Sequence, residues 1–161
     1  MQIVVLVGTT KGRATAVAEE VAARLGDAGA TVAVVPMDRA DAALVGRAEM
    51  LIVCTSTFGA GGVPANAADF LARVEAGDIP CAGRPIAYVG LGDRSFRHTF
   101  NGGWRTFERA FTAHGAVTLG EPLLFDAADA LPPAEAAARR RDRIAAWVDD
   151  LRAVLPAAAH T

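Results

Sequence analysis

The sequence predicts a doubly wound, three-layer α/β/α sandwich around five parallel strands, in spatial order 2-1-3-4-5. Three observations predict it. Short apolar runs rich in β-branched residues recur along the chain. Between them the apolar period changes to that of an amphipathic helix. Glycine-rich segments follow the first, third and fourth runs. In such a sheet, ligands bind beyond the carboxyl ends of the strands, where the strand order reverses.

Ile3-Val4-Val5-Leu6-Val7 is continuously apolar, as a strand buried on both faces is. Thr31 to Val35, Met50 to Cys54 and Ile86 to Gly90 repeat the pattern. A fifth strand runs near Ala116 to Phe125, with Gly120 and Pro122 marking a break or bulge inside it. Val17, Val21 and Leu25 share one face of a first helix that ends near Gly26 or Gly29. Pro64 to about Ala76 repeats the helical period through Ala68, Leu71 and Val74. Trp104, Phe107 and Phe111 mark the next helix, closed by His114-Gly115. Ile144, Val148 and Leu151 mark the last, spanning roughly Pro133 to Val154. Asp38 to Gly46 has room for one or two turns.

The 161 residues suit one domain, residues 1–155, with Pro156 to Thr161 as a flexible tail. Sixteen Lys+Arg against eighteen Asp+Glu leave a net charge of −2, so no strong basic field is available to hold a nucleic-acid backbone. With 52% hydrophobic residues the chain is too apolar for disorder. No apolar run reaches the roughly 18 residues of a membrane span. The N-terminus lacks the charged region and cleavage site of a signal peptide. Two cysteines, Cys54 and Cys81, are too few for a disulfide scaffold and favour a reducing, cytoplasmic compartment. Cys54 ends a strand and reads as core, Cys81 beside Pro80 as an exposed thiol. Tyr88 lies inside a strand and reads as packed, and Arg139-Arg140-Arg141 with Arg143 as the solvated face of the last helix. Lysine occurs once, at Lys11.

Lys11 falls in the first loop, Gly8-Thr9-Thr10-Lys11-Gly12-Arg13-Ala14-Thr15. Its glycines let backbone amides close on an anion, its threonines bring hydroxyl donors, and the helix it opens adds about half a positive charge. It is neither a Walker loop nor Gly-x-Gly-x-x-Gly. An ordinary Thr-capped turn accounts for the same residues equally well. The second loop, Thr55-Ser56-Thr57-Phe58-Gly59-Ala60-Gly61-Gly62-Val63-Pro64, sets one aromatic among hydroxyls and small residues. A flat ring stacked on Phe58 explains it better than a core Phe, because four small residues follow. The third loop, Gly90-Leu91-Gly92-Asp93-Arg94-Ser95-Phe96-Arg97-His98-Thr99-Phe100-Asn101-Gly102-Gly103, brings two more aromatics. An anion site and aromatic platforms at one edge suit a planar, phosphate-bearing ligand.

These three segments together resemble the flavodoxin family of FMN-binding electron carriers, also found as the FMN domain of diflavin reductases. The likeness is greatest to short stand-alone members of the MioC type. The family's Ser/Thr-x-Thr-Gly-x-Thr/Ala pattern corresponds to Thr9 through Ala14, its Ser-Thr-aromatic-Gly-x-Gly to Ser56 through Gly61, and its Gly-x-Gly-x-x-x-Tyr, then Phe, to Gly90 through Phe96, then Phe100. Lys11 departs from the usual small or hydroxyl residue and Phe96 from the usual Tyr. Asn101 stands where some short members carry Cys.

The resemblance implies non-covalent FMN, with its phosphate on Thr9, Thr10, Lys11, Gly12, Arg13 and Ala14. It implies a ring held between Phe58 and Phe96, with Phe100 the other candidate platform. It adds Ser56, Thr57, Gly59, Ala60, Gly61, Gly92, Asp93 and Asn101 to the site, with a redox-linked peptide flip at Gly59. It further implies a monomer that exchanges electrons with an NAD(P)H-dependent flavin reductase and an acceptor enzyme, without a catalytic acid or base and without a metal. An FMN-dependent NAD(P)H oxidoreductase and a flavin-free binding module are the alternatives. The chain offers no nicotinamide-binding unit, and its first strand lacks the acidic cluster of a receiver domain.

Lys11, Arg13, Arg94, Arg97 and His98 outnumber Asp93 in the loops. If their field reaches the ring rather than being screened by water, it favours the fully reduced anion and an acidic docking partner. Arg94→Glu and Arg97→Glu are then expected to make the lower flavin potential more negative in potentiometry. An unmoved potential rejects that expectation.

Overall fold

The computed structural model describes residues 1–57, 62–92, 102–126 and 131–155. The expected tail after Leu155 lies outside them. Strands β1 (Gln2–Gly8), β2 (Thr31–Pro36), β3 (Met50–Ser56) and β4 (Pro85–Gly92) are parallel, in order β2-β1-β3-β4. The fifth strand is split, as Gly120 and Pro122 led us to expect. Val117–Thr118 (β5) and Leu123–Asp126 (β6) both pair with β4. Gly120 takes φ +68, and Trp147 Nε1 donates to the Glu121 carbonyl at 2.8 Å, tying down the interruption.

The continuous apolar runs are explained by two cores on one sheet. Ile3, Val5 and Val7 of β1 point into one, and Val4 and Leu6 into the other. Met50, Ile52 and Cys54 of β3 join the first, Leu51 and Val53 the second. Side chains alternate along a strand, so both faces need apolar residues when helices cover both. Helices α1 (Arg13–Asp27) and α5 (Pro133–Val154) cover the first face, with Val17, Val21, Leu25, Ile144, Val148 and Leu151 buried on it. Helices α3 (Ala68–Glu75) and α4 (Gly102–Ala113) cover the second, where Phe70, Phe107 and Phe111 pack as a tilted cluster. The segment after β2 holds a 3-10 turn (Met37–Arg39) and one short α-helix, α2 (Ala42–Arg47), capped by the Asp41 carboxylate on the Leu44 amide.

Three expectations are corrected. The helix expected from Pro64 begins at Ala68, because residues Ala65–Ala67 form a tighter 3-10 turn. Within that turn the Asn66 side chain reaches away toward β1. Cys81 is not an exposed thiol: it is 3% exposed, with Sγ near the carbonyls of Phe111 and His114. The arginine run is only half solvated. Arg139 and Arg141 are exposed, but Arg140 pairs with Glu20 at 2.7 Å and Arg143 lies 4.7 Å over the Phe125 ring. Arg140 precedes buried Ile144 by four and Arg143 precedes buried Trp147 by four, so both follow the buried stripe of α5. Tyr88 is packed as expected, against Trp104.

Burial pushes the Cys54 thiol up to about 12. Its Sγ donates to the Ala14 carbonyl at 3.4 Å. The folded chain therefore keeps a proton that the unfolded chain gives up near pH 9. This contribution is complete below the free thiol's value and is lost as pH rises toward 12. Urea unfolding is expected to lose about 1.4 kcal/mol per pH unit through this group above about pH 9. Cys54→Ala should flatten that alkaline limb, and an unchanged limb would contradict the assignment.

Candidate functional site

Strands β1, β3 and β4 end side by side, and backbone approach there is close enough to select glycine. A Cβ on Gly8 would lie 2.6 Å from Thr55 Oγ1, a side chain that is itself fully buried. A Cβ on Gly103, in the first turn of α4, would lie 2.7 Å from the Ser56 carbonyl oxygen. The Gly103 amide donates to Thr57 Oγ1 at 3.2 Å. Ser56 Oγ donates to the Gly8 carbonyl at 3.3 Å, and the Thr57 amide to the Leu91 carbonyl at 2.9 Å. Three strand ends and one helix start are thereby held together.

Asn66 adds the tie that the sequence reading missed. Its Oδ1 accepts from the Thr9 amide at 2.9 Å, and its Nδ2 donates to the Val7 carbonyl at 3.2 Å. One side chain thus holds the loop after β1 to the segment after β3. Nothing in its spacing signals this, because 57 residues separate it from Thr9.

The first loop has the geometry of an anion cradle. Gly12 takes φ +85, a left-handed conformation, with nothing within 4 Å of a Cβ placed there. Conformation, not space, therefore selects glycine. Thr9 Oγ1 accepts from the Gly12 amide at 2.9 Å, which leaves its own proton to donate outward. Helix α1 starts at Arg13 with no side-chain cap and no acid in its first turn. Its first amides and the positive end of its dipole therefore face the loop without a side-chain acceptor. Thr10, Lys11, Gly12 and Arg13 are exposed and Thr9 is half-buried. Ala14 is fully buried, so it offers its backbone alone.

The structure brings Thr9 through Ala14 to the same edge as Ser56, Thr57 and Gly92. Leu91 stands in register with Ser56, and Gly92 with Asp126. Phe58, Gly59, Ala60, Gly61, Asp93, Arg94, Phe96, Arg97, His98, Phe100 and Asn101 lie outside the described residues. Among the described residues no cluster of His, Cys, Asp or Glu is arranged to hold a metal, and no helix is long and apolar enough to cross a membrane. The chemistry available here is recognition of an anion by amides, hydroxyls and two exposed cations.

Known proteins share this fold. A family model described as flavodoxin matches residues 5–139. The sulfite reductase (NADPH) flavoprotein alpha-component of Thiocapsa roseopersicina is 33% identical over 101 residues, which are 60% of this chain and 19% of that protein. The chain thus spans about a fifth of the length of that curated relative. A point mutant of a flavodoxin from Pseudomonas aeruginosa superposes with a TM-score of 0.76 at 28% identity, over 94% of this chain and 99% of that one. A Fusobacterium nucleatum flavodoxin bound to flavin mononucleotide superposes with a TM-score of 0.76 at 19% identity, over 96% and 99%, a likeness of fold. With most of its length matched, and with a sheet in the order β2-β1-β3-β4-β5, this chain belongs to the flavodoxin family.

Proposed function

We propose that the chain is a monomeric cytoplasmic electron carrier that holds FMN non-covalently. In this reading it passes electrons from an NAD(P)H-dependent flavin reductase to an acceptor enzyme. The observation that carries the reading is the uncapped start of α1 beside Gly12 at φ +85, with Thr9 locked to the Gly12 amide. That donor set suits a phosphate, whose negative charge the helix end and the exposed Lys11 and Arg13 favour. The fit of the flavodoxin pattern to Thr9 through Ala14 supports it, as does the match to a flavoprotein subunit.

In this proposal Thr9, Thr10, Lys11, Gly12, Arg13 and Ala14 hold the phosphate. Asn66 positions the Thr9 amide. Ser56, Thr57 and Gly92 border the cofactor on the strand ends. Phe58 and Phe96 or Phe100 flank the ring, and Gly59, Ala60, Gly61, Asp93 and Asn101 complete the enclosure. Gly59 supplies the peptide that turns with the redox state. Bound FMN supplies the electron-transfer chemistry, and the protein sets its orientation and potential.

Titration of the purified chain with FMN and with riboflavin, followed by flavin fluorescence, tests this. FMN is expected to bind at least about a hundredfold more tightly, because charge-assisted phosphate contacts contribute about 1.5–3 kcal/mol each. Asn66→Ala removes two hydrogen bonds of about 1 kcal/mol each and should weaken FMN about tenfold with little effect on riboflavin. Gly12→Val forces a β-branched residue into the left-handed region and should erase the preference for FMN. Equal affinity for the two flavins, or none for either, would sink the proposal.

A further inference from the structure

A second recess lies beside the cradle, on the other side of the sheet edge from α3 and α4. It is a cleft of about 310 Å³ between the start of α1, the first half of α5 and the ends of β4 and β6. Leu91, Phe125, Leu131 and Ala136 give it apolar walls, and Arg13, Arg139, Arg140 and Arg143 supply the charge.

The cleft exists because the apolar stripe of α5 breaks off. Leu151, Val148, Trp147 and Ile144 are buried at helical spacing. Continued toward the N-terminus, the same face carries Arg143, Arg140 and Ala136, where core residues would otherwise fill the space against Leu91 and Phe125. A basic stretch on an inward face breaks the local rule of patterning, and such breaks concentrate at functional sites. The arginines are placed, not frayed. Arg140 is paired with Glu20 at 2.7 Å, and Arg143 donates to the Leu124 carbonyl at 2.6 Å while lying over Phe125. Asp126 is the one acid in the lining among the described residues. Among the described lining residues positive charge is in excess even after Asp126 and Glu20 on Arg140 are counted, on a chain whose net charge is −2. Arg13 and Arg139, at the mouth, are exposed, and Leu131 on the rim is 37% exposed.

We propose that this cleft anchors an acidic segment of the redox partner, one carboxylate-rich stretch with an apolar side chain that enters between Leu91, Phe125 and Leu131. The partner's identity as a redox protein rests on the carrier function proposed above; the recognition of an acidic segment does not. The volume is at the lower limit of small-ligand sites, which run from about 300 to 1,000 Å³, but it suits a single anchoring side chain ringed by charge. Arg139, exposed at the mouth, steers an acidic surface on approach. Arg13 belongs both to the cleft and to the phosphate loop, so a partner seated here stands beside the proposed flavin.

The test is a titration of the 15N-labelled, FMN-loaded chain with a synthetic peptide of Asp and Glu around one central Leu, followed by amide shifts. The same peptide with Lys for every acid is the control. Shifts are expected at Leu91, Ala136 and Arg139 with the acidic peptide alone. They should weaken at least tenfold with Arg139→Glu, and should weaken again on raising salt from about 50 to 500 mM, while FMN affinity stays unchanged. Leu131→Ala should weaken binding without altering the salt dependence. No response, an unaffected Arg139→Glu variant, or shifts confined to Thr9 through Ala14 would overturn the proposal. The same shifts with inorganic phosphate would also overturn it, making the cleft a small-anion site. If the chain takes up no FMN, the titration is run on the chain as purified. A positive result there removes the carrier function and keeps the acidic-segment cleft, and loaded chain without a peptide response does the reverse.

Discussion

The burial of β1 on both faces is the constraint on which the rest depends. Val5 and Leu6 are fully buried on opposite sides, and every residue from Ile3 to Gly8 is buried. Each large apolar side chain removed from water contributes about 1.5–3 kcal/mol, so β1 cannot slip its register without exposing several at once. It pairs with β2 on one edge and β3 on the other, and this doubly wound topology puts the strand ends and α1 at one edge. The site inherits its precision from that pairing. Gly8 meets Thr55 because Val7 is already in register with Cys54.

From that edge outward, function is a matter of which backbone groups are left without partners. Strand amides are spent in the ladder, and Thr57 and Gly103 are spent tying β3 to β4 and α4. The first turn of α1 has no side-chain cap. An acid there would have satisfied the helix and competed with any phosphate. Arg13 stands there instead, with Lys11 just ahead of it in the loop. The near-neutral total charge therefore conceals a basic edge, continued along α5 by Arg139, Arg140 and Arg143.

Much of this architecture was legible in the sequence. Buried strands write themselves as apolar runs, and α5 spans Pro133–Val154, matching its pattern. The split fifth strand was announced by Gly120 and Pro122. Thr9 through Ala14 could be read as a loop, but Gly12's left-handed turn and Ala14's burial belong to the folded chain. Asn66 was illegible because its partners, Thr9 and Val7, are far away in sequence. Cys81 looked exposed beside Pro80, yet α4 and the following turn close over it, a long-range contact that local pattern does not encode. Arg140 and Arg143 looked solvated because charge usually is. Their inward placement depends on where α5 crosses the ends of β4 and β6.

The central claim, a flavin carrier built on this edge, is tested most directly by the visible spectrum of the purified chain. The account predicts a yellow protein with flavin bands in the near-ultraviolet and blue, whose colour passes into solution as FMN when the protein is denatured with acid. A colourless preparation whose spectrum shows no perturbed flavin after FMN is added would contradict it.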